Sequence, residues 1–187
     1  MKIFSSFRNI LKQDAFTLIE IIVVVAVIGF LSASMLSSQK SSSARRQLNL
    51  DVQKTVQDLR NAQNLALSSQ FSGDCGKVVA YGLVLNSSSP DRYFLAADCN
   101  GDNVYDSSND IVLKTIFFQQ SRINSLQAEG VGVDTLKVFF VPPLPSIFIN
   151  GIVSVSAVSA SINICHFAQT NLCKTINISS KGAVSTQ

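Results

Sequence analysis

Residues 15–36 read Ala15-Phe16-Thr17-Leu18-Ile19-Glu20, then IIVVVAVIGFLSASML, and this stretch decides how the rest of the chain is organised. From Phe16 to Leu36 the run is apolar except for Glu20 and small hydroxyl residues. As a helix it would extend roughly 31 Å, about one hydrocarbon core, which reads as a transmembrane segment. The preceding fifteen residues, MKIFSSFRNILKQDA, carry Lys2, Arg8 and Lys12 against Asp14. Positive charge before an apolar segment predicts a cytoplasmic N-terminus and an extracytoplasmic C-terminal part. Glu20 breaks the pattern. An acid deep in a membrane helix costs about 2.5–3.5 kcal/mol, less near the interface, so it calls for a cation. A free amino group created at Phe16 would supply one.

The Ala15–Glu20 stretch and the Val/Ile run as far as Gly29 resemble the processing site of type IV prepilins and pseudopilins. The resemblance implies cleavage by prepilin peptidase between Ala15 and Phe16, and methylation of the new amine. It implies that Glu20 pairs with a neighbouring subunit's N-terminus during assembly. The implied partners are that peptidase, other pilins or pseudopilins met through the N-terminal helix, and the inner membrane. The implied path is a single-pass inner-membrane protein that passes into a filament. Two positions depart from the pattern. Ala15 stands where the family usually has Gly, and Ser37 where many members have Pro, the usual source of a sharp kink. A secretory signal peptide fits less well, because the apolar run exceeds an ordinary h-region and leaves Glu20 without purpose.

Downstream the chain turns polar, and Leu48, Val52, Val56, Leu59, Ala62 and Ala66 then recur at steps of three and four. That is one apolar face of a helix. Neither Pro nor Gly falls between Leu31 and Phe71. The pattern predicts a continuous helix from about 16 to 69, with the serines at 41–43 as the place where a break would fall. Beyond residue 72 the period changes. Residues 77–86, 92–98, 111–118, 135–141, 151–158, 161–167 and 174–178 read as strands rich in Val, Ile, Phe and Tyr, separated by turn residues. No strand–helix alternation follows, so the sheet is expected to be antiparallel. Pro142, Pro143 and Pro145 exclude a central strand at their own positions. The expectation is an α+β protein: leader 1–15, transmembrane half-helix 16–36, amphipathic half-helix 37–71 and a β-rich globular domain 72–187.

Phe139-Phe140-Val141-Pro142, Gly151, the segment Asn177–Val184 and the helical stretch Leu59–Ala66 resemble the H-type minor pseudopilins (GspH/FimT-like). This implies a minor, often tip-proximal subunit. Ala183 stands where those proteins often carry Arg, and Lys181 is the one cation of that tail. Nucleic-acid binding is therefore unsupported. The charge agrees: the 187-residue chain is +3, and removing residues 1–15 leaves about +1, without the broad basic footprint of a nucleic-acid binder.

Four cysteines, Cys75, Cys99, Cys165 and Cys173, form no CxxC pair. Outside the cytoplasm they read as two disulfides; in a reducing setting they would stay thiols. A hairpin of 77–86 with 92–98 brings Cys75 near Cys99, and Cys165 and Cys173 face each other across a turn at Gln169. The expected pairs are therefore Cys75–Cys99 and Cys165–Cys173.

Residues 98–110, DCNGDNVYDSSND, place Asp98, Asn100, Asp102 and Asp106 at positions 1, 3, 5 and 9, with the Val104 carbonyl at 7 and Asp110 near the end. That order resembles the oxygen ligands of a calcium loop, although the Gly sits at 4 and strands, not helices, flank it. A solvated turn is the competing reading, since Asp, Asn and Gly favour turns by themselves. No other cofactor is expected. Nucleophile-elbow, P-loop, HExxH and dinucleotide motifs are missing from the sequence, and His166 reads as a packing residue, so an enzyme is not expected. Two functions compete. One is a minor pilin or pseudopilin. The other is a monomeric membrane-tethered extracytoplasmic binding protein, in which Glu20 would be dispensable.

Overall fold

A computed structural model describes residues 17–68, 75, 78–142, 146–153 and 160–187, without side chains at 34–41. The leader 1–15, and with it the cleavage residues Ala15 and Phe16, lies outside the described residues. One helix, α1 (Leu18–Ser68), opens the described chain and runs through the serine cluster without interruption. By contacts the chain divides after Ser41 into two units.

In the first unit, Leu18 to Leu31 presents apolar side chains on every side, from 51% to 77% exposed. The apolar run with described side chains, Leu18–Ala33, is about 16 residues or roughly 24 Å. Among the described residues no helix is long and apolar enough to cross a membrane.

The second unit joins the rest of α1 to two antiparallel sheets. The strands are β1 (Ala80–Asn86), β2 (Arg92–Asp98), β3 (Ile111–Phe117), β4 (Ser121–Ala128), β5 (Val131–Gly132), β6 (Thr135–Val141), β7 (Ser146–Ile149), β8 (Ile152–Val153), β9 (Ala160–His166), β10 (Cys173–Ile178) and β11 (Val184–Thr186). The first sheet has the order β3-β2-β1-β6-β7-β8 and the second β11-β10-β9-β4-β5. Leu48, Val52, Leu59, Ala62 and Ala66 are buried on one face of α1, the 3.6-residue stripe legible in the sequence. Their core includes Leu83, Leu85, Tyr93 and Val138 of the first sheet and Ile123, Leu126, Ile162, Ile164 and Ile176 of the second. α1 is thus packed on both sheets.

Several strands escaped the sequence. β4 is polar, and a register shift between Ile123 and Ser125 breaks its alternation. β7 follows the prolines directly, and β11 is three residues long. Of the expected strand 151–158, Ile152–Val153 is observed, and 154–159 lies outside the described residues. Two hairpins close on residue pairs with positive φ, Glu129-Gly130 and Asn150-Gly151, the backbone that a tight two-residue turn requires. In β1, Gly82 lies against β6. A Cβ there would overlap the Val138 carbonyl oxygen and the Phe139 side chain, so only glycine admits this approach.

A smaller apolar cluster covers the opposite face of the first sheet. Ala80, Val84, Ala96 and Phe139 are buried there beneath Phe94, Val141, Phe148 and Tyr105. Tyr105 comes from the 98–110 loop, so that loop roofs this face of the sheet.

Candidate functional site

Two places concentrate the candidate residues singled out in the sequence. The first is the start of α1. Thr17 precedes the helix, and the Glu20 amide donates to the Thr17 carbonyl at 3.0 Å and, at the long distance of 3.4 Å, to Thr17 Oγ1. Thr17-Leu18-Ile19-Glu20 thus has the residue order of a helix capping box, a signal present in the sequence that the reading of Glu20 as a membrane acid passed over. Glu20 lies in the first turn. There the amides and the helix dipole favour a negative side chain. Both the carboxylate and the apolar residues that follow it are exposed. An all-round apolar helix of this kind is covered by lipid or by other helices in a working protein.

The second place is the loop from Asp98 to Asp110, between β2 and β3. Asp98 is fully buried. Its Oδ1 accepts from the amides of Asn100 and Gly101, and its Oδ2 from that of Asn103. Asp110 closes the loop, with Oδ1 accepting from the Cys99 amide at 3.0 Å and Oδ2 from the Asp106 amide at 2.7 Å. Asp102 accepts from the Val104 amide and from the Asn100 side-chain amide. One carboxylate oxygen each of Asp98, Asp102 and Asp110 lies within 4.8 Å of the others. Burial pushes the Asp98 carboxyl above its ordinary range; the amides of Gly101 and Asn103 oppose the shift, and the charges of Asp110 and Asp102 add to it.

The remaining predicted ligands are placed differently. Asp106 accepts from the amides of Ser108 and Asn109 and from the Asn109 side chain, which holds its carboxyl down to about 2. Asn100 donates its side-chain amide towards Asp102 and, at 3.5 Å, Asp106. The Val104 side chain packs against Gly151. Asn103, not among the predicted ligands, has positive φ and a buried Oδ1 without a partner. The donors are all hard oxygens, and the carboxylates of Asp102 and Asp110 converge on buried Asp98, so the residues fit a calcium-sized cation. Lys137 Nζ donates to the Tyr105 carbonyl at 2.9 Å and pins the loop to β6.

Both expected disulfides are present. Cys75 pairs with Cys99, at the mouth of the loop, and Cys165 with Cys173, which are direct cross-strand partners. In the chain-entropy account these closures contribute about 3.5 and about 2.5 kcal/mol. His166 is buried, and its Nδ1 accepts from the Ala168 amide.

Residues 10–36 match the family model for the prokaryotic N-terminal methylation motif. The match spans the leader end, Phe16, Glu20 and the apolar half-helix, and it supports a type IV pilin-like leader. No curated protein and no solved structure matches the chain.

Proposed function

We propose that this chain is a minor pilin or pseudopilin, processed by prepilin peptidase and assembled into a type IV pilus or a type II secretion pseudopilus. The observation that carries the reading is the methylation motif at residues 10–36, set on a helix whose side chains from Leu18 to Leu31, Glu20 apart, are apolar and exposed on every face. The proposed course begins with insertion of residues 16–36 in the inner membrane, leader inside and second unit outside. Cleavage before Phe16 creates an amine, which is methylated. Glu20 of an incoming subunit then neutralises the amine of its neighbour, and the apolar helices pack together. The second unit is non-catalytic in this reading. Its resemblance at Leu59–Ala66, Phe139–Pro142, Gly151 and Asn177–Val184 and its helix-on-sheet core support an H-type minor subunit, and calcium is its proposed ligand at Asp98, Asp102 and Asp110. No nucleic-acid partner is proposed.

Glu20→Ala in the full chain is the decisive experiment. Leader removal should persist, while recovery in sheared filaments falls at least about tenfold, as expected for loss of a pairing in a low-dielectric setting. A variant recovered in filaments as efficiently as the parent would sink the proposal. A parent chain that is cleaved yet never enters filaments would favour the membrane-tethered binding protein instead.

A further inference from the structure

Charge in the second unit is divided between the two ends of β2 and β3. β2 begins at Arg92 and ends at Asp98; β3 begins beside Asp110 and ends at Phe117. At roughly 3.4 Å per residue the two ends are about 20 Å apart. The acidic end is the 98–110 loop, where Asp102 is exposed and Asp106 half-buried.

The other end is built from arginine and phenylalanine. Arg92 lies over the Phe117 ring at 5.7 Å, and Arg122 over the Phe167 ring at 5.7 Å. Phe117 and Phe167 are 52% and 68% exposed, so neither ring is explained by the core. A single segment joins the two pairs: Phe117 ends β3, Gln119 and Gln120 cross to the second sheet, and Arg122 follows in β4. The Gln47 side chain donates to Gln119 at 3.0 Å, which brings the helix there, with exposed Arg45 and Arg46 just before it. Asp51, Asp91 and Asp134 are the acids nearby, and buried Asp51 accepts from the Gln119 and Gln120 amides at 3.5 Å. Asp91 is 3.9 Å from Arg92, and Asp134 accepts from the Ser87 hydroxyl. Four arginines therefore outweigh three acids, one of them buried.

Exposed aromatic rings under guanidinium groups have the composition of an interface centre rather than of a solvated surface. Arginine also prefers carboxylate partners, which it can grip with two parallel hydrogen bonds. The same chain displays carboxylates at its other end, where Asp102 is exposed. Because the complementary surfaces differ and sit at opposite ends, their contact is heterologous and joins two copies head to tail rather than as a two-fold pair.

We infer that the Arg92/Phe117–Arg122/Phe167 end of one subunit docks the 98–110 loop of a second copy of this chain, head to tail. The inference rests on the filament reading, which sets neighbouring subunits in the same direction. Individual surface charge pairs are weak, so the contact acts together with helix packing and is weakened by salt.

The test is photocrosslinking of the full chain in cells and after detergent extraction, with Phe117→p-benzoyl-phenylalanine or Phe167→p-benzoyl-phenylalanine. The expected product is a dimer whose crosslinked peptide lies within 98–110 of the second copy. Arg45→Glu with Arg46→Glu, or Arg122→Glu, should lower its yield about fivefold, the size of a few surface pairs. With the arginines kept, co-expressed Ser107→Lys copies, which put a cation on an exposed loop position and leave the aspartates in place, should yield less of the dimer, whereas copies with the parent loop should keep it. The double helix-surface variant guards against misfolding caused by the Arg122 change within β4, and intact disulfides verify the fold. Crosslinks elsewhere in the second copy, a dimer indifferent to charge reversal, or adducts with lipid alone overturn the inference. Failure of the filament reading is separately visible, because pole-to-pole crosslinks in detergent do not require leader removal or polymer.

Discussion

The Tyr93 hydroxyl donates a 2.7 Å hydrogen bond to Asp58 Oδ2, joining β2 to α1 at the edge of the core. Tyr93 is fully buried and stacks at a tilt on Phe118, 5.3 Å away. Burial and the Asp58 carboxylate both push the phenol far above its ordinary range. Tyr93→Phe keeps the ring and leaves the carboxylate without this donor. It should cost about 1.5–3 kcal/mol, the range for a bond to a charged group, read as a lower midpoint in urea at unchanged slope. An alkaline titration adds a second readout: the phenolate absorbance of Tyr93 should appear only with unfolding.

Gly82 sets how closely β1 and β6 approach. Gly82→Ala forces a methyl into the Val138 carbonyl and the Phe139 ring, and both atoms belong to a paired central strand. A loss of about 3 kcal/mol or more is expected, with reduced accumulation of folded protein. Gly130→Ala is the useful contrast. Open space surrounds that position, and only its positive φ opposes a side chain, so the loss should be about 1 kcal/mol.

Calcium should raise the melting temperature of the full chain in detergent, and Asp98→Asn should abolish most of that rise. Binding should also release protons at mildly acid pH, because burial has raised the Asp98 carboxyl and a cation needs it ionised. Calorimetry in two buffers of different ionisation heat measures the release. Absence of any melting shift at millimolar calcium would remove calcium from the description of the loop.

Asp106 and Asp98 impose opposite acid dependences. The Asp106 carboxyl is held at about 2 by its bonds to Asn109 and Ser108, below its ordinary value. Its contribution is present above about pH 4 and disappears as pH falls through the folded-state value. Asp98 is shifted upward, so its contribution is greatest in acid and declines as pH rises. Thermal melts of the parent and Asp106→Ala should therefore converge as pH drops towards 2.

The long helix was legible because two simple signals coincided, a run without Pro or Gly and a clean stripe from Leu48 to Ala66. The hairpin of β1 and β2 was legible from two apolar runs around a Ser/Pro turn, and the Cys75–Cys99 pair followed from its register, while Cys165–Cys173 followed from the turn at Gln169. β4 was not, because its bulge removes the period on which strand reading depends, and with it went the division into two sheets. In the loop, spacing found Asp98, Asp102 and Asp110 but not the fate of Asp106, whose carboxylate is taken up by local amides. Nor does spacing reveal Asn103 Oδ1, since an orphaned buried oxygen exists only in three dimensions.

The Cys75–Cys99 bond has a mechanical consequence. It fastens the chain beyond the end of α1 to the far end of β2, bypassing the 24-residue separation between them. In the proposed filament a subunit under tension would be pulled through its helix, and tension ordinarily lengthens a protein by peeling strands into slack chain. Here the bridge carries the load covalently, and the intervening stretch, roughly 80 Å if fully extended, cannot be drawn out. Single-molecule stretching of the parent and of Cys75→Ser, which leaves Cys165–Cys173 closed, should differ by about that contour length, making the bond a strain limiter for β1 and β2.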